Sequence, residues 1–190
     1  MKRFLIILAA CAALASCGGS PKVSDPIQDA LEARIKALTT EDAKVTFFKF
    51  EKVDSTTYAQ ELAHRKGQFE LRLKQNEKFY EEYKAKNMAN NMAKKAAAIE
   101  GDKRVLAGFE ALEAAIADKM ESVAYYDYCF SGKAVSKEAG ETDFNEYYAS
   151  ITPDGEVLSI EPSTKGLHKS LGRVIPGYTE LVKGGEEEEE

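Results

Sequence analysis

The chain has 190 residues, of which 44% are hydrophobic and 31% charged, with a formal net charge of −6 at pH 7. That length and apolar share suffice for one domain with a real core, and the acidic balance argues against binding nucleic-acid phosphates. Three cysteines, two histidines and no tryptophan leave too few ligands for most zinc or thiol–histidine designs.

Lys2 and Arg3 precede an uninterrupted apolar run from Phe4 to Leu14. The run is about 11 residues long, against the roughly 20 that a bilayer-spanning helix needs, so it reads as a secretory signal. Leu14-Ala15-Ser16-Cys17 follows: a branched apolar residue, two small ones, then Cys. This segment resembles the lipobox of bacterial lipoproteins. The resemblance implies cleavage before Cys17, a diacylglyceryl group on its sulfur and acylation of its new amino group. The competing reading is an ordinary secretory signal cut at a nearby Ala or Ser.

Each buried methylene of an acyl chain contributes about 0.8 kcal/mol, and two or more chains anchor stably. A lipidated Cys17 would therefore hold the protein to a membrane without a protein span. Loss of Lys2 and Arg3 with residues 1–16 makes the remainder two charges more negative. Anionic headgroups repel such a surface, so the lipid itself must do the anchoring. Gly18 stands where some enterobacterial lipoproteins carry an Asp retention signal. The resemblance thus implies the cell envelope, at the periplasmic face of the outer membrane. Residues 17–24 form a lipidated tether, whose polar stretch reaches at most about 25 Å.

Residues 25–183 are expected to form a single α+β domain. Asp25-Pro26-Ile27-Gln28 reads as a helix start, with Ile27, Leu31, Ile35 and Leu38 on one face and an end near Thr39. Ala43 to Val53 is rich in β-branched and aromatic residues and predicts a strand, closed by Asp54-Ser55-Thr56-Thr57. Tyr58 to about Ile99 predicts one long helix, stopped at Gly101 and followed by a second helix capped by Asp102. Together they should make an antiparallel hairpin, whose stretch from Lys84 to Ala98 is poor in large apolar residues and is expected to protrude or pack loosely.

Three antiparallel strands should follow, Ser122–Ala134, Phe144–Thr152 and one around Val157 to Ile160, with Thr152-Pro153-Asp154-Gly155 as a turn. Past Pro162 periodicity fades. Glu186 to Glu190 is a charge run expected to be disordered. The simplest assembly is one antiparallel sheet packed on helices that lie on one face, loosely like small cystatin-like or NTF2-like rolls, an analogy of fold alone.

No cofactor or metal motif stands out. Cys129 lies between Tyr128 and Phe130 with no base nearby and reads as a buried strand residue. His64 has no second histidine on its helix face, and His168 stands alone. Asp127 and Glu146, on neighbouring strands, are the carboxylate pair to inspect for acid–base work. The local enrichment of Tyr125, Tyr126, Tyr128, Tyr147 and Tyr148 suits ligand or partner binding. Strand alternation points Tyr125 and Tyr148 outward if their neighbours face the core, so these two are the candidate binding residues. The long helix adds a mildly positive arm, including Arg65, Arg72, Lys94 and Lys95.

The expected role is a non-enzymatic binding or interaction module, anchored through Cys17 and meeting an envelope protein or a small molecule. The alternatives are a lipid-tethered hydrolase and a carrier of a small hydrophobic ligand.

Overall fold

Asp25 accepts a hydrogen bond from the Ile27 amide at 3.0 Å and Pro26 occupies the first turn, so helix α1 runs Pro26–Leu38. The structure is a computed structural model that describes residues 25–138 and 140–184. The leader, Cys17, the tether and the Glu186–Glu190 run lie outside the described residues.

Strand β1 spans Lys44–Thr57 and continues through the four residues expected to end it. The correction comes from pairing. Asp54, Ser55 and Thr56 lie opposite Asp127, Tyr126 and Tyr125 of strand β2, Val123–Ser136, and that ladder outweighs their local turn preference. Thr57 then caps helix α2, Tyr58–Ala85, in a capping box with Gln60.

The helical hairpin is present, but its turn falls earlier than expected. Helix α3 spans Ala89–Ala115, and the break is Lys86-Asn87-Met88. Asn87 takes φ 52°, the Met88 amide bonds the Tyr83 carbonyl at 3.0 Å, and the Asn87 amide bonds Lys84 at 3.1 Å. This is a Schellman ending with Asn in the left-handed position usually held by Gly. Gly101 and Asp102 are instead interior to α3, where Asp102 is buried and accepts from Arg72 and Asn76.

Strands β3, Gly140–Ile151, and β4, Val157–Glu161, complete one antiparallel sheet in the order β1-β2-β3-β4. The Thr152–Gly155 turn forms as expected, with Gly155 at φ 93° and its amide on the Thr152 carbonyl. The hairpin is thus an insertion between two neighbouring strands. After β4 come α4 (Thr164–Leu167), a 3-10 turn (Leu171–Val174) and α5 (Tyr178–Lys183).

Helices cover both faces of the sheet rather than the single face expected, and the two faces bury different things. Leu31 and Ile35 of α1 pack with Tyr128, Phe130, Ala149 and Ile151 on one face. On the other lies Tyr125, in a cluster with Leu171 that also takes in Ala124 and Leu158 at the irregular end of the sheet. A third cluster joins the hairpin base to the C-terminal segment: Leu62, Phe69, Val105, Phe109, Leu112 and Ile116 with Ile175. No residue of α2 beyond Asn76, nor of α3 before Ile99, is buried. At 1.5 Å per residue the last turns of α2 extend about 14 Å past that core. Among the described residues no helix is long and apolar enough to cross a membrane.

Candidate functional site

A cleft of about 280 Å³ opens where the end of β1, the start of α2 and the C-terminal segment meet over β2, and Asp54, Glu61, His64, Tyr125 and His168 line it. Its floor follows from strand alternation. With Tyr126 and Tyr128 packed toward α1, Tyr125 and Asp127 take the opposite face.

Asp127 is buried and both its oxygens are engaged. Ser150, directly opposite on β3, donates its hydroxyl to Oδ1 at 2.5 Å, and Oδ2 lies 2.6 Å from His168 Nε2. A buried carboxylate is tolerable only when hydrogen-bonded in this way. The His168 side chain is 40% exposed. Its hydrogen bond to Asp127 raises its pKa above the usual histidine value, against the opposing pull of partial burial.

A second network fixes the backbone that carries His168. Glu61 and Arg65, one helical turn apart on α2, form a buried ion pair at 2.6 Å. Arg65 also donates to the carbonyls of His168 and Lys169, and Tyr125 donates its hydroxyl to the other Glu61 oxygen at 2.9 Å. Burial pushes the Tyr125 phenol up. Ser159 adds a hydrogen bond to the Leu167 carbonyl at 2.9 Å. The imidazole is therefore held through its ring, its own carbonyl and both neighbouring carbonyls, beside the Tyr125 ring at 5.7 Å.

Chemically, a half-exposed imidazole backed by a buried carboxylate can take up and release a proton. Neither Ser150 nor Cys129, among the described residues, is placed as an activated nucleophile beside it. The Ser150 hydroxyl is fully buried and spent on Asp127, and Cys129 is a free thiol buried in β2. Among the described residues no group of three or more His, Cys, Asp or Glu side chains is placed to hold a metal ion.

Of the residues singled out in the sequence, Tyr125 does line the cleft, but it does not face outward as expected. It is 1% exposed, because α2 and the 158–171 segment cover that end of the sheet. Tyr148 shares the face but sits opposite Cys129, half-buried, with its hydroxyl on Glu146 at 2.7 Å. That bond pushes its pKa up to about 12. The two tyrosines do not share a pocket. Asp127 and Glu146 likewise belong to separate networks, since Glu146 sits at a β3 irregularity with φ 44°. Cys17 lies outside the described residues.

His64 is an exposed helix residue, as expected, with Gln68 3.0 Å away. The second histidine missing from its helix arrives from position 168. Two signals for the site were present in the chain: a lone Asp in the aromatic strand around position 127, and Glu61 and Arg65 spaced i, i+4. Neither says which distant residue completes it.

Comparison with known proteins finds no matching family model, no matching curated protein and no matching solved structure.

Proposed function

We propose that the protein is a lipid-anchored component of the cell envelope, tethered through Cys17, and that its domain binds a small polar ligand in the cleft beside His168 without converting it. The anchor is supported by the leader and the Leu14-Ala15-Ser16-Cys17 segment. The binding role is carried by one observation: the polar groups at the cleft are held by other protein groups, with Tyr125 on Glu61 and Ser150 on Asp127. A ligand there would meet the second ring nitrogen of His168, the His64 ring and the Asp54 carboxylate, the last two already holding one bond each from Gln68 and the Ser55 amide, together with Ser55, Thr56 and Gln60. These suit a molecule rich in hydroxyl or amine donors.

A hydrolytic reading is favoured by the Asp127–His168 pair alone, since such an imidazole can act as a general base on water.

Two measurements test the proposal. Cell fractionation should find the parent in membranes and Cys17→Ser free outside the cytosol; a membrane-bound Cys17→Ser protein overturns the tether. Ring signals of His64 and His168 should shift saturably with an amino-sugar disaccharide or a short diamine, leaving the probe intact. Unmoved signals with both probes overturn the cleft as a binding site. Probe breakdown that disappears in His168→Asn replaces binding by hydrolysis.

A further inference from the structure

A second pocket lies across the Glu61–Arg65 pair from the histidine cleft. Glu61 lines the cleft, whereas Arg65 lines a separate concavity of about 180 Å³ shared with the 3-10 turn and α5. That volume corresponds to about six waters. It is below the roughly 300–1,000 Å³ of pockets that enclose a whole organic ligand, so it suits one compact group.

Every charge on the pocket wall is positive. Arg65, Lys169, Arg173 and Lys183 line it, and no Asp or Glu among the described residues does. The chain as a whole carries −6, so this wall runs against its overall balance. Arg65 is already compensated by Glu61 and engaged by the His168 and Lys169 carbonyls. The other three are exposed. The ammonium groups of Lys169 and Lys183 have no ion-pair or hydrogen-bond partner among the described residues. Arg173 gives one nitrogen, Nη2, to the Leu158 carbonyl at 2.6 Å. That bond holds the guanidinium in place and leaves its remaining N–H groups for a ligand.

Neutral donors complete the set. The hydroxyls of Ser170, Tyr178 and Thr179 belong to the same pocket and have no hydrogen-bond partner among the described residues. Burial pushes the Tyr178 phenol up, so it remains a donor at neutral pH. Its ring sits edge-on to Phe109 at 6.4 Å. A Cβ at Gly172 would collide with that ring, so a glycine is what lets the turn and α5 close on each other.

Three unpaired cations and three hydroxyls around so small a space match a tetrahedral oxyanion. A phosphate monoester offers three strong acceptor oxygens and carries about −1.5 to −2 at pH 7. A carboxylate brings two oxygens and one charge, and a phosphodiester headgroup likewise brings one charge. We propose that this pocket holds the terminal phosphate of a small soluble molecule, with Lys169, Arg173 and Lys183 neutralising it and the three hydroxyls bonding its oxygens. The remainder of that molecule lies outside the pocket. The site does not depend on what occupies the histidine cleft.

Amide spectra of the full-length protein in neutral detergent at low salt test this. Glycerol 1-phosphate and inorganic phosphate should each shift the amides of residues 169–173 and 178–183 saturably, and acetate at matched ionic strength should not. Lys169 and Lys183 are exposed and unpaired, so Lys169→Gln/Lys183→Gln should fold normally. It should bind phosphate roughly tenfold more weakly or worse, having lost two charge-assisted contacts. Tyr178→Phe keeps the ring and should weaken binding by roughly two- to tenfold. No saturable shift with either phosphate overturns the proposal. So do equal shifts from acetate, or an unchanged affinity in the double lysine variant. A response to phosphatidylglycerol micelles without one to glycerol 1-phosphate also overturns it, by making lipid the ligand.

Discussion

Arg65→Met isolates the interaction that positions His168. Arg65 and Glu61 have side chains 4% and 1% exposed, so both charges sit in protein rather than water. Removing the guanidinium leaves the Glu61 carboxylate with only the Tyr125 hydroxyl and strips the His168 and Lys169 carbonyls of their donor. Breaking one side of a buried pair costs about 3–5 kcal/mol, whereas an exposed pair is worth roughly 0–1 kcal/mol. The expected outcome is a loss of about 3–5 kcal/mol in urea unfolding with the denaturant slope unchanged. Glu61→Met/Arg65→Met should recover part of it, since no uncompensated charge remains and the residual cost is the lost bonds of the Tyr125 hydroxyl to Glu61 and of the His168 and Lys169 carbonyls to Arg65, about 1–3 kcal/mol for each group left unsatisfied. A loss under about 1 kcal/mol for the single variant, or a double variant much worse than the single, refutes the reasoning.

The His168–Asp127 pair makes stability depend on pH in a definite direction. The folded pKa of His168 is raised, so its contribution is fully present below the unfolded value of about 6.5 and lost as pH rises through the folded value. The melting-temperature gap between parent and His168→Asn should therefore be widest below about pH 6.5 and narrow above it. A gap that grows with pH contradicts the assigned hydrogen bond. Gly132→Ala tests the β1–β2 crossing, where a Cβ would stand 2.2 Å from the Thr46 carbonyl oxygen and 2.7 Å from the Phe144 ring. Backbone cannot yield as a side chain does, so the cost should reach about 1–3 kcal/mol in thermal unfolding, and a neutral result would mean the strands are not this close.

Local chemistry explains which elements were legible. Asp25-Pro26 and Thr152-Pro153-Asp154-Gly155 act through hydrogen bonds within four residues, and both formed as read. The hairpin turn was misplaced because Gly101 looked like the stronger stop. Asn87 in the left-handed conformation does the same work, and an Asn inside a polar helical stretch is ambiguous until the returning helix is seen. The residues Asp54 to Thr57 were misread for the opposite reason, since their partners lie some seventy positions away on β2.

The order of helices and strands, the α1 face of the sheet and the hairpin's apolar stripe were set by periodicity, because burial of alternate or every third-to-fourth side chain is written into the chain itself. The cleft was not. Glu61, Arg65, Tyr125, Asp127, Ser150 and His168 come from α2, β2, β3 and the C-terminal segment, and each looks ordinary alone. Only packing removes water from them, and it is that loss of solvent which makes a carboxylate, a guanidinium and an imidazole depend on one another.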